Sequence, residues 1–163
     1  MARSDLGSER DVFFVSLGGF DQHNSLDDVF SGKMSSLDSA LGSFKEEMVK
    51  QGVWEDVMVL TASDFGRTLT TNGVGTDHGF AGNYFVAGGA VKGGKILGKY
   101  PSDLLGDTDI GRGRQIPTTP WEAIYKPMAE WFGVPGSKIS TILPNVGNFP
   151  ASQLVAKTDL FKN

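Results

Sequence analysis

Two histidines and a handful of aspartates carry most of the chemistry that this 163-residue sequence can do. His23 closes the string GGFDQH, two residues after Asp21, and His78 stands in TDHG directly after Asp77. Between them, SDFGR puts Asp64 three residues before Arg67. In extended chain, residues i and i+2 point the same way. Asp21 and His23 can therefore offer an oxygen and a nitrogen to one ion, a donor pair that zinc and manganese both accept. Neighbouring residues point apart, so only one of Asp77 and His78 faces a shared site. Imidazole is the commoner ligand, which favours His78, with Asp77 orienting an imidazole from behind. Asp64 can ligate through its carboxylate, and Arg67 can grip phosphate or sulfate oxygens with two N–H bonds. Each motif also has a plainer reading: a turn held by Asp21 beside an exposed His23, a helix cap at Asp64 with Arg67 in a salt bridge, an Asp-His pair with no joint role. What favours a common site is that three such strings lie next to strand-like apolar runs.

Those runs are the elements that must position the residues. VFFVSL (12–17) is continuously apolar over a strand length, which suits a central strand covered on both faces. VMVL and YFVAG read the same way, around residues 57–60 and 84–88. A helix is expected over residues 36–51, because Leu37, Leu41, Phe44 and Met48 share one face of a 3.6-residue period. Ser35 and Asp38 resemble a capping pair, and Gly52 is a C-terminal stop. Strand, helix and strand in that order predict a right-handed crossover in a parallel sheet, with ligands received at the carboxyl ends of the strands. Further on, AVKGGKILGKYP reads as hairpin-like and residues 101–118 as a surface loop. In that loop GRGR (111–114) is either an anion site or solvated chain. A second helix starts at Thr119 or Pro120. It carries Trp121, Ile124, Tyr125, Met128, Trp131 and Phe132 as core and stops at Gly133, with Pro127 inside it as a kink. Turns packed by Ile139, Ile142, Leu143 and Phe149 follow. Residues 1–10 and 151–163 are expected to be loose, flanking one domain.

Composition narrows the classes. Hydrophobic content of 39% and charged content of 21% are those of an ordinary globular chain. The 22 glycines are roughly twice the average usage of ~7%, so many tight turns and close backbone approaches are expected. A net charge of −4 without a basic cluster speaks against nucleic acid as partner. No apolar run approaches the ~18 residues of a membrane span. Without cysteine, thiol catalysis and thiolate metal sites are excluded. No serine sits in a GxSxG elbow, and neither a phosphate-binding P-loop nor a dinucleotide fingerprint occurs.

The ordered strings FFVSLGGFDQH, VMVLTASDFGRT and GTDHGFAGNYFVAGGAVKGGK, followed by GRGRQIPTT, AEWFGV and LPNVGNF, resemble the bacterial family known as domain of unknown function 1501. The resemblance runs over residues 3–149. It implies a relationship to the alkaline phosphatase and sulfatase superfamily: an α/β/α three-layer sandwich on a mostly parallel sheet, with metal ligands at strand ends. By that resemblance Asp21 and His23 match an Asp-then-His pair for one metal, Asp64 the Asp of a later Asp-His pair, and His78 the last metal-binding His. Two departures stand out. Phe65 follows Asp64 where the superfamily has His, and Asp21 and His23 are more tightly spaced than in phosphatases. The resemblance further implies that the nucleophile belongs to an N-terminal half preceding this chain, that members are exported (periplasmic) in bacteria, and that the chain is the C-terminal portion of such a domain.

Two functions are consistent with these readings. The first is a metal-dependent hydrolase of phosphate or sulfate esters, acting on a small molecule or glycan and inactive as this portion. Its divalent ion, zinc or manganese with calcium or magnesium as alternatives, would sit on Asp21, His23, Asp64 and His78, with Arg67 on the ester oxygens. The second is a non-catalytic binding or scaffolding module that keeps the fold. Unpaired sheet edges would favour a homodimer.

Overall fold

The computed structural model describes residues 7, 9–104, 106–107 and 109–162. Its first long element is helix α1, Leu26–Lys50. The helix begins about ten residues earlier than its apolar face announces. Asp27 and Asp28 lie in the first turn, where carboxylates complement the helix dipole. The expected cap at Ser35 falls inside the helix, where the Ser36 hydroxyl donates to the Gly32 carbonyl at 2.9 Å. At the other end Gly52 stops the helix with φ 69°. The amides of Gly52 and Val53 donate back to Val49 and Met48 at 3.0 Å each, the two bonds of a left-handed glycine cap. No residue of α1 is buried.

Four short strands follow: β1 Met58–Leu60, β2 Gly66–Thr71, β3 Thr76–Gly79 and β4 Val86–Gly88. They form two separate two-stranded sheets, β1 with β4 and β2 with β3, both antiparallel. The expected three-layer α/β/α sandwich on a parallel sheet is therefore wrong. Among the described residues there is no parallel pair. Residues 12–17 form no strand, and Phe14 is 94% exposed. A strand exists only where a neighbour takes its N–H and C=O groups, and among the described residues the run has none. The strand after α1 pairs instead with β4, antiparallel, across the excursion that contains the β2–β3 hairpin. TDHG and the last two residues of SDFGR, Gly66 and Arg67, expected as loops beside strands, are thereby drawn into strands themselves.

The core is built where α2 and the C-terminal stretch meet β1 and β4. Helix α2, Glu122–Trp131, carries Pro127 buried inside it. Proline cannot donate to the carbonyl four residues back, and the freed Ala123 carbonyl accepts from the Val155 amide at 3.2 Å. Among the described residues, α3, Ile139–Ile142, and α4, Lys157–Leu160, complete the α-helices. The C-terminal stretch, expected to be loose, is instead tied down: Leu160 and Phe161 are each 1% exposed. Phe161 bridges to Val91 and stacks on Trp131, ring centroids 5.1 Å apart. Met58, Val86 and Met128 pack around them. The expectation of a loose N-terminal segment falls mainly on residues outside the described set. Among the described residues, no helix is long and apolar enough to cross a membrane.

Candidate metal centre

The β2–β3 hairpin is the platform. Its turn is built by Asn72, whose side-chain oxygen accepts from the amides of Val74 and Gly75 at 3.1 and 2.8 Å, with Gly73 at φ 106°. Such local side-chain bonds are why Asn-Gly pairs make tight hairpin turns. The chain carrying Asp21 and His23 lies across this turn. The Thr76 amide donates to the Gln22 carbonyl at 3.1 Å, and the Asn72 side-chain amide donates to the His23 carbonyl at 2.9 Å. The approach is close enough to require glycine at 75. A Cβ there would stand 2.5 Å from the His23 carbonyl carbon and 2.6 Å from the Gln22 oxygen. Gln22 itself is buried and bonds back to the Gly19 carbonyl at 3.0 Å.

This crossing brings three side chains together. Asp21, His23 and His78 each supply one ligand atom, and all three atoms lie within 4.8 Å of one another. Asp21 Oδ1 is 3.0 Å from His23 Nε2 and 2.7 Å from His78 Nε2. Arg67 stands opposite His78 in the β2–β3 register. One terminal nitrogen donates to the same Asp21 oxygen at 2.8 Å, its Nε donates to the Thr76 hydroxyl at 2.9 Å, and its other terminal nitrogen donates to the Thr76 carbonyl. The hydrogen bond from His78 is the largest influence on the Asp21 carboxyl; desolvation, the next largest, opposes it, and the bond from Arg67 helps hold the group below its ordinary range. Phe65 lies flat on the His78 ring, centroids 4.1 Å apart and planes within 6°. Phe65, the residue after Asp64, thus backs the His78 ring.

Asp77 sits behind His23. Its Oδ1 is 3.1 Å from His23 Nδ1 and accepts from Asn72 at 3.2 Å. Its Oδ2 meets Arg112 at 2.7 Å. Bonds from Asn72, His23 and Arg112, in that order, lower its carboxyl too. The imidazole that Asp77 touches is therefore that of His23, not its chain neighbour His78. Asp64 is not among the grouped ligand atoms. Its charge acts on Tyr84, whose phenol is pushed up first by burial and then by Asp64. Sequence reasoning did not place Asn72, Phe65 or Arg112 at the site. The Asn-Gly pair was a visible turn signal for the first. Arg112 lies 35 positions from Asp77; GRGR (111–114) marked it as a candidate anion site, but nothing in the sequence named the Asp77 carboxylate as the anion.

The donor set fits a cation. Two imidazole nitrogens and one carboxylate oxygen would give a cation three ligands and leave positions open for water or substrate. Were Asp77 to accept from Nδ1–H, the Nε2 lone pair of His23 would face an Asp21 oxygen 3.0 Å away, an arrangement that a proton or a cation between them would relieve. The Arg67 guanidinium beside Asp21 already supplies one positive charge, which favours one cation over two.

The sequence profile of a family described as "Protein of unknown function (DUF1501)" matches residues 1–113. The chain belongs to the DUF1501 family. The match takes in all of the hairpin, Asp21, His23 and Arg112, so the whole candidate centre lies inside the DUF1501 region, while α2 and the C-terminal core lie beyond it. No curated protein and no solved structure matches this DUF1501 chain.

Proposed function

We propose that the chain carries a single-cation centre of the hydrolase type for phosphate or sulfate esters, held by Asp21, His23 and His78. The observation that carries this reading is the convergence of one carboxylate and two imidazoles on one point, from two segments more than 50 residues apart, beside an arginine. The likeness of Asp21, His23 and His78 to the ligands of the alkaline phosphatase and sulfatase superfamily supports the ester class. Zinc or manganese suits the nitrogen-rich set better than calcium or magnesium, which prefer oxygen alone. A bound cation would polarise an ester oxygen. Asp21 supplies the negative charge that attracts it, and His23 and His78 supply neutral nitrogens. Arg67 has five N–H donors, of which Asp21 and Thr76 engage three, so it can still offer N–H to an anionic oxygen. Among the described residues, no serine or threonine is oriented on this point by a base, so turnover is expected to be slow and binding to dominate.

A second reading, a non-catalytic module that kept the fold, is favoured by Phe65 stacking where a ligand would stand. Calorimetry with phenyl phosphate and phenyl sulfate separates the two. The hydrolase-type reading expects zinc- or manganese-dependent binding that Arg67→Ala weakens. Metal uptake without any ester binding would favour the module.

A further inference from the structure

We propose that Arg112 is a positioning residue for the Asp21–His23–His78 centre: by pinning Asp77 it fixes which nitrogen of His23 faces the cation. The observations come from the loop that carries it. Residues 109–115 close on themselves through a bridge between Asp109 and Gln115 and run along the edge of β2. There the amides of Leu69 and Thr70 donate to the carbonyls of Gly113 and Arg112 at 3.1 and 3.2 Å. The register is fixed by Gly113, since a Cβ there would fall 2.5 Å from Leu69 Cβ and 2.9 Å from its amide nitrogen. Arg112 itself is held at φ 62°. Non-glycine residues seldom adopt that conformation, and when they do it costs about 1–2 kcal/mol. Strained residues of this kind gather where geometry matters to function.

The strained backbone aims the guanidinium at Asp77 Oδ2, 2.7 Å away. That leaves Oδ1 to accept from His23 Nδ1 at 3.1 Å and from Asn72 at 3.2 Å, while the Asp77 amide bonds to the Thr68 hydroxyl at 3.1 Å. The carboxylate is thus fixed on both oxygens. A carboxylate on Nδ1–H favours the tautomer whose Nε2 is free to ligate and raises its basicity, against the pull of Asp21 Oδ1, which stands 3.0 Å from Nε2 and favours a proton there; a firmly held Asp77 tips that balance. Without Arg112, Asp77 can rotate about its side-chain bonds and the preference relaxes. A loop with no ligand of its own thereby tunes the centre from behind.

The affinity part of this inference rests on the cation reading; the tautomer part does not. The test is long-range proton–nitrogen NMR of the two histidines in metal-free protein, followed by zinc titration. Arg112→Asn is the main variant, because asparagine tolerates a left-handed backbone while removing the charge. His23 is expected to shift toward a tautomer mixture with His78 unchanged, and the zinc dissociation constant to rise about 10- to 100-fold. Arg112→Lys, which keeps the charge, is expected to restore most of both. An unchanged His23 tautomer in Arg112→Asn would overturn the proposal. So would loss of spectral dispersion in both variants, the mark of a merely structural role. Zinc failing to bind the unaltered protein while the tautomer still shifts would sink the cation reading and leave the role of Arg112 standing.

Discussion

Replacing Gly75 by alanine probes how the two halves of the centre are held together. The Gly75 φ is not in the left-handed region, so alanine brings no backbone strain. It brings a collision: its Cβ would lie 2.5, 2.6 and 2.7 Å from the His23 carbonyl carbon, the Gln22 oxygen and the Asn24 nitrogen. These are backbone atoms and cannot swing aside, so the 22–24 segment must lift. Lifting it breaks the Thr76 amide bond to Gln22 and the Asn72 bond to His23. At about 1 kcal/mol each, the loss is about 2 kcal/mol of local stability, roughly a 30-fold faster exchange of the Thr76 amide at 1.4 kcal/mol per factor of ten. Hydrogen exchange followed by NMR reads this directly. Gly136, whose added Cβ meets nothing within 4 Å, is the control. Thr76 protection equal to that of the unaltered protein would refute the crossing of the two segments.

Other outcomes follow from the core and the carboxylates. Phe161→Ala empties the site of a side chain 1% exposed and is expected to cost about 3–5 kcal/mol, read as a lower urea midpoint; a change under about 1 kcal/mol would mean the C-terminal stretch is not docked. Asp21 and Asp77 both titrate below their ordinary value of 3.8 in the folded chain. Their contribution is thus fully present above 3.8 and lost as pH falls through the lowered folded values. Acid titration followed at the Asn72–Gly75 amides should show the hairpin releasing residues 21–23 below pH 3.8, and Asp77→Asn should remove its share of that loss; release confined to higher pH would contradict the assignment.

Much of the site was legible because it rests on local signals. Asp21 and His23 share a face by spacing, Asn72-Gly73 announces a turn, and Gly52 ends a helix as its type demands. The family, too, could be read from ordered strings. The sheet could not. VFFVSL has the composition of a central strand, but composition does not supply a neighbour, and the run stands exposed. β1 and β4 were visible as apolar runs, yet parallel or antiparallel pairing depends on what lies between them, here a hairpin rather than a covering helix. The bond from Val155 to the carbonyl freed by Pro127, and that from Arg112 to Asp77, join positions tens of residues apart. No local pattern displays either.

A cation held by Asp21, His23 and His78 can be sought in the protein itself. Metal content of untagged protein, never exposed to chelator, measured by plasma mass spectrometry for the unaltered chain and for the His23→Ala, His78→Ala double variant, tests it most directly. Near-stoichiometric zinc or manganese, lost in the double variant with the fold retained, is the predicted result. No bound metal in the unaltered chain, or equal metal in both, would contradict it.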